Sequence, residues 1–347
     1  MVNESVREIK YTERTKELHN SEITSEIKYT DNVRELRYTV TTEDGQSTAR
    51  RIMVERFQLS SCEITRCKQF KDGVMAIMGE EREAVHIMGE EQEAVPIMVK
   101  QLLDPGDILI VRVYEDVDNA SEIVPGDIPI DIVYEDEDLI LVNKPGDMVV
   151  HPSYAHYTDS LSNALAGYYK KTGQNHVIRT IGRLDRETSG LIIFAKNRHS
   201  AALLSDQKDK MSRRKEYLAL CHGIFDEKEG TVNAPIGQNE GERMIRRVMD
   251  SGKEAITHYR VLKEFNDYSL VRLKLDTGRT HQIRVHMNYL GHPLLGDNLY
   301  GKDIPDNHGM TRAALHAASL SFFQPVTGEE LCFEADVPQD MEKLISN

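Results

Sequence analysis

Apolar and polar positions change their period several times along the 347 residues. Near the N-terminus, REIKYTE (7–13), SEIKYTD (25–31) and RELRYTV (34–40) repeat one short strand-forming pattern. A second duplication is direct, with IMGEEREAVH (77–86) running into IMGEEQEAVP (87–96). Units of about ten residues in two or three copies are too few and too short for a solenoid. Both are read as local duplications that lengthen a strand or loop. Between them, ARRIMVERFQLSSCEITRCKQFKD (49–72) predicts two short helices. Ile52, Met53 and Phe57 give the first an apolar face, and Ser60 or Ser61 caps the second. Ile64 and Phe70 are expected inward, with Arg66, Lys68 and Lys71 outward. A strand-rich piece ends in DPGDILIVRV (104–113).

Residues 114–130 are acidic and marked by proline, as suits a linker. Beyond them, IVYEDEDLILVNKP alternates apolar runs about a polar turn, a hairpin pattern. A helix is predicted over 159–171 from Leu161, Leu165 and Tyr168, capped by Asp159 or Ser160. Strands follow at LIIFAK (191–196), YLALCHG (217–223), THYRVLKEF and YSLVRLKL (257–275), and ALHAASLSF (314–322), with only about two helices among them. Hairpin-joined strands of this kind predict an α+β fold with a mostly antiparallel mixed sheet. No G-x-G-x-x-G opens a helix after a strand, which disfavours a Rossmann domain. The predicted divisions are an extension over 1–46, a small α+β unit over 47–113, the linker over 114–130 and the main domain over 131–347.

Composition adjusts this picture in three ways. No apolar run approaches the roughly 18 residues of a membrane span and no signal-peptide core is present, so a cytoplasmic protein is expected. The four cysteines form no C-x-x-C pair, so neither a disulfide framework nor a zinc clasp is expected. The net charge of −14 argues against a nucleic-acid partner until its distribution is counted. Residues 101–150 hold 13 acids and 2 bases, whereas residues 151–347 hold 25 acids and 26 bases, leaving room for local basic faces.

Candidate chemistry lies in four stretches: NKPGDMVVHP (143–152), GRLDRETSGL (182–191), RRKEYLAL (213–220) and TGRTHQIRVHMNYLGHPLLGD (277–297). Together with RAALHAASLSFFQPVTGE (312–329), they resemble the RluA-type family of RNA pseudouridine synthases over roughly residues 131–340. Residues 49–113 resemble the αL-type RNA-binding domain named after a small-subunit ribosomal protein. In that domain the second helix presents basic residues, here Arg66, Lys68 and Lys71.

The resemblance implies an enzyme that isomerises uridine to pseudouridine without cofactor or metal. Asp185 matches the family's catalytic aspartate, Tyr217 its active-site tyrosine, and Arg284 the arginine that pairs with that aspartate. Arg183 falls where relatives push a basic side chain into the gap left by a flipped base. Arg186, Lys215, Arg279 and His281 are further substrate-binding candidates. The implied partner is RNA, ribosomal before transfer RNA, and the protein is expected to act as a monomer away from membranes. His281 and His286 lie five apart, off the zinc-binding face of a helix, which disfavours metal. A D-x-D phosphotransferase is disfavoured because Glu187 follows Asp185 at the second position. A non-catalytic RNA-binding assembly factor is the other rival, opposed by the presence of every expected catalytic residue.

Overall fold

A computed structural model describes residues 7–12, 24–29, 33–79, 93–115, 123–209, 213–239, 241–242, 245–304 and 306–346. Most of the 77–96 duplication and residues 116–122 of the expected linker lie outside them. The N-terminal unit runs β1 (Arg7–Thr12), β2 (Thr24–Tyr29), β3 (Val33–Thr39), β4 (Ser47–Thr48), α1 (Ala49–Glu55), α2 (Ser61–Cys67), β5 (Val74–Ile77), β6 (Val95–Pro96), β7 (Leu102–Leu103) and β8 (Ile108–Tyr114). Its antiparallel sheet has the order β1-β2-β3-β8-β5-β6.

The three repeated segments are neighbours in this sheet. Ile9 is paired with Ile27 and Ile27 with Leu36, and this register places Glu8 opposite Lys28 and Glu26 opposite Arg37. The same pairing corrects the division expected after residue 46. β3 is hydrogen-bonded along its length to β8, and its Leu36 and Tyr38 fill the core around Ile52, Met53 and Ile64. Both predicted helices form, and Ser60 caps α2 in a reciprocal capping box with Glu63. Phe70, expected inward, is 42% exposed and stacks on Tyr114 with ring centroids 3.9 Å apart.

The larger unit runs β9 (Ile132–Glu135), β10 (Leu139–Lys144), α3 (Leu161–Thr172), β11 (Arg179–Ile181), β12 (Ser189–Ala195), α4 (Arg198–Asp209), β13 (Arg214–His222), β14 (Glu229–Asn233), β15 (Ile236–Gly237), β16 (Arg247–Val248), β17 (Ile256–Glu264), β18 (Tyr268–Leu275), α5 (Gln282–Tyr289), β19 (Leu315–Phe323), β20 (Glu330–Glu334) and α6 (Gln339–Ile345). Its main sheet, β14-β17-β18-β13-β19-β12-β10-β9, is antiparallel except where β12 meets β19. At that meeting Gly190 has φ of 107°, and a Cβ there would lie 2.3 Å from the Ala317 carbonyl oxygen. Only glycine lets the two backbones approach so closely. The GRLDRETSGL stretch therefore runs into the sheet where β12 meets β19.

The two units share a buried polar contact. Arg34 of β3 pairs with Asp138, which also accepts from Asn197 at 2.9 Å, Ser200 at 2.9 Å and Gln324 at 3.0 Å. Both charged side chains are under 5% exposed. Burial works against the Asp138 carboxylate, but Arg34 and the three neutral donors outweigh it and hold its pKa below the usual range. Replacing Arg34 by Met should strand that charge and cost about 3–5 kcal/mol in chemical denaturation. A loss below about 1 kcal/mol would show that the pair does not join the units. The folded pKa of Asp138 is the lowered one. Its stabilisation should thus be full above the usual carboxylate range and decline as pH falls below it, more steeply in the wild type than in Asp138→Asn.

Candidate active site

The segment between β11 and β12 carries Asp185 on backbone that is clamped from several sides. Lys144 is wholly buried, and its ammonium donates to the carbonyls of Pro145 at 2.7 Å, Met148 at 2.8 Å and Arg186 at 3.0 Å. Burial, with the nearby Arg312 charge, pulls its pKa down to about 7. Arg312 donates to the Glu187 carbonyl at 2.9 Å and grips Asp340 with two further bonds of 2.7 and 3.0 Å. The Glu187 carboxylate accepts the Ala313 N–H at 2.9 Å, and the Thr188 N–H closes a turn on the Asp185 carbonyl at 3.1 Å.

Arg284 enters from the first turn of α5. The preceding loop is folded against β17 by Gln282, which accepts from Thr277 and from the Arg279 N–H, both at 2.9 Å, and donates to the Ile256 carbonyl at 2.9 Å. Arg284 was expected to pair with Asp185, and the structure corrects this. Its two short bonds, both 2.7 Å, go to Asp297, whose side chain is wholly buried, while Glu187 lies 3.4 Å away. An unpaired carboxylate as deep as Asp297 would cost several kcal/mol, so it captures the bidentate fork. Asp297 also accepts the N–H groups of Leu299 and Tyr300. Burial opposes the Arg284 charge, but Asp297, then Glu187 and Asp185 through space, hold its pKa above the ordinary value.

Tyr217 reaches the same place from β13. A register shift between Glu216 and Tyr217 moves the pairing from Ser319 to Ala317, a bulge that re-aims the side chain. Burial raises the phenol's pKa and the Asp185 charge adds to it, so Tyr217 stays protonated at neutral pH. The Lys215 ammonium sits 5.6 Å from its ring centroid. His281, with φ of 57° at the N-terminus of α5, places Nδ1 3.0 Å from the Tyr300 hydroxyl. Burial lowers its pKa, against the pull of Asp185, and favours the neutral imidazole.

One cleft of about 190 Å³ gathers these groups. Asp185, Tyr217, Arg284, Arg183, Lys215, Arg279 and His281 line it. Arg186 does not, and its guanidinium lies 3.7 Å from Asp147 instead. Arg66, Lys68 and Lys71 also lie elsewhere, on and just beyond α2, with Lys68 and Lys71 exposed. Sequence reasoning assigned no role to Arg213, Arg214 and Lys274, which add positive charge to the cleft wall. The first two stood inside a quoted motif, whereas Lys274 had only strand alternation to mark it.

The other histidines of the 277–297 stretch serve the core. His286 bonds Thr257 and the Ala234 carbonyl, and His292 bonds the His222 carbonyl and stacks on Phe225. Among the described residues, the one group within mutual metal-ligating reach is Asp267, Asp306 and His308, outside the cleft.

The family model for RNA pseudouridylate synthase matches residues 138–289, which hold Asp185, Tyr217 and Arg284. The RNA pseudouridine synthase YjbO of Bacillus subtilis is 41% identical over 248 residues, 71% of this chain and 86% of that protein. Ribosomal large subunit pseudouridine synthase D of Vibrio parahaemolyticus is 43% identical over 204 residues, 56% of this chain and 62% of that protein. The solved structure of human RNA pseudouridylate synthase domain containing 1 is similar at TM-score 0.51 and 27% identity, over 63% of this chain and 94% of that one. With 41% identity across 86% of a relative, the chain belongs to the RNA pseudouridine synthase family and is an isomerase.

Proposed function

We propose that the protein converts uridines of structured large-subunit ribosomal RNA to pseudouridine, with Asp185 as the group that acts at the ribose. The observation that carries this reading is the convergence of Asp185, Tyr217 and Arg284 in one cleft walled by basic side chains. A uridine held in a folded RNA must leave its stack to enter, at a cost of a few kcal/mol. Arg183, which lines the cleft wall two residues before Asp185, is assigned to fill the gap.

The Asp185 carboxylate then attacks C1′ and displaces N1 of the uracil, or acts as base and takes the C2′ proton as the bond from C1′ to N1 breaks. The uracil turns within the cleft, and C5 bonds to C1′ as the bond from Asp185 to C1′ breaks or, on the second route, as the proton returns to C2′. The C5 proton leaves and N1 ends protonated, so atoms and redox state balance and no cofactor or metal is needed. Tyr217 supplies a flat, neutral phenol against the base. Arg284, oriented by Asp297, supplies fixed positive charge near Asp185 without a direct ion pair.

The Arg66, Lys68 and Lys71 surface of the N-terminal unit is assigned to RNA affinity, as in an αL-type domain. The ribosomal substrate is supported by the name of the Vibrio relative. The protein is taken to act as a cytoplasmic monomer.

Asp185→Asn should lower pseudouridine formation at least about 10³-fold while leaving RNA affinity within a few-fold. Mapping of pseudouridines in cellular RNA with and without the protein reads this directly. Unchanged yield would overturn the role of Asp185, and sites confined to transfer RNA would replace the ribosomal assignment. Glu187→Gln keeps an acceptor for Ala313 but removes the charge facing Arg284. It should cut kcat about tenfold, some 1.4 kcal/mol, with KM within twofold. A rise in KM alone would place Glu187 in substrate binding instead.

A further inference from the structure

We propose that Tyr154 and Tyr157 form a stacking platform for unpaired nucleobases flanking the target uridine, beside the cleft and distinct from the base pocket. The proposal rests on the RNA reading above. Residues 151–160 make a short loop whose ends are tied together. Leu161 and Ser162 donate their N–H groups to the carbonyls of Val149 and Val150 at 2.9 and 3.0 Å. Within it, Ser153 and His156 exchange two backbone hydrogen bonds of 3.1 and 2.9 Å, so Tyr154 and Ala155 sit at the tip of a tight turn. His156 is fixed 2.8 Å from Asp159, and Asn163 donates to the Tyr157 carbonyl at 3.1 Å.

This locked backbone holds two aromatic rings in solvent, Tyr154 at 93% exposure and Tyr157 at 68%. Burial of either ring would stabilise the fold by a few kcal/mol, so their exposure on a rigid loop serves contact rather than packing. Single exposed apolar residues need no explanation, but two aromatics three positions apart on one tied loop do.

The loop's root places it at the cleft. His151 bonds Ser162 at 3.0 Å through Nδ1 and Thr180 through Nε2. Thr180 directly precedes Ile181, Gly182 and Arg183, which line the cleft, and the Arg183 charge reaches His151. RNA entering the cleft carries its neighbouring nucleotides past Arg183 and onto this loop. Every base has a π face, so two fixed phenols grip flanking nucleotides without choosing among them. A protein partner would need apolar or complementary surface around the rings, whereas the adjoining cleft wall carries Arg183, Arg213, Arg214 and Lys215.

The full chain with Tyr154→Ala and Tyr157→Ala is compared with the Phe double variant and wild type, using an RNA stem-loop with 2-aminopurine next to the target uridine. Wild type and the Phe variant should quench the probe on binding. The Ala variant should lose the quench and raise KM about 10- to 100-fold, with kcat within twofold. Thermal unfolding within a few degrees of wild type checks its fold. An Ala variant that binds and quenches like wild type overturns the platform. Tyrosine-dependent quenching by a wild-type protein that forms no pseudouridine upholds the platform and overturns the proposed reaction instead.

Discussion

Three buried cations, Lys144, Arg312 and Arg284, converge on the short turn that follows Asp185. Lys144 holds the Arg186 carbonyl, Arg312 the Glu187 carbonyl, and Arg284 faces the Glu187 carboxylate. Lys144 ends β10, Arg284 lies in the first turn of α5 and Arg312 stands three residues before β19, so these three places in the fold meet at this turn. Desolvating three cations costs several kcal/mol apiece unless each is fully matched. The local structure supplies a bidentate carboxylate for each arginine and three carbonyls for Lys144, whose lowered pKa marks its burial as only partly offset. The turn can therefore hold a carboxylate at a fixed point on the cleft wall, which a loop tied only by its own backbone would not do.

The arrangement explains which parts of the site were legible in the sequence. Asp185, Tyr217 and Arg284 sit in motifs whose spacing survives without the fold, and their convergence could be anticipated. The partner of Arg284 could not. Asp297 closes the quoted 277–297 stretch, yet nothing in a linear string says whether an arginine will choose the nearer carboxylate in space or the more deeply buried one. Burial decides, because the carboxylate with no water has the most to gain. Glu187 was treated only as evidence against another enzyme class, although its backbone and side chain both brace the turn.

For the fold, hydrophobic period located the hairpins and both short N-terminal helices, since period is a local property. The boundary after residue 46 failed for the complementary reason. The repeats at 7–13, 25–31 and 34–40 looked like an extension by composition, while their pairing with one another and with β8 is long-range. The Arg34–Asp138 contact was equally invisible, for it joins residues 104 apart in sequence. It also bears on the proposed division of labour between the units. A fragment beginning near residue 125 would lose Arg34 and leave Asp138 with its neutral donors Asn197, Ser200 and Gln324, so a truncation meant to separate RNA affinity from chemistry is best paired with Asp138→Asn.

The acidic total and an RNA substrate are reconciled by where the acids reside. Asp44, Glu35, Asp138, Glu135 and Asp297 are each engaged by an arginine or lysine. Such pairs are nearly dipolar beyond a Debye length of about 8–10 Å and add little to the field that an approaching phosphate meets. At the cleft, Arg183, Arg213, Arg214, Lys215, Lys274 and Arg279 share the wall with few acids. These bases outnumber Asp185 and Asp276 at the cleft, so its wall is locally basic although the chain as a whole is acidic. Net charge thus misleads about partners whenever the excess of one sign lies away from the site.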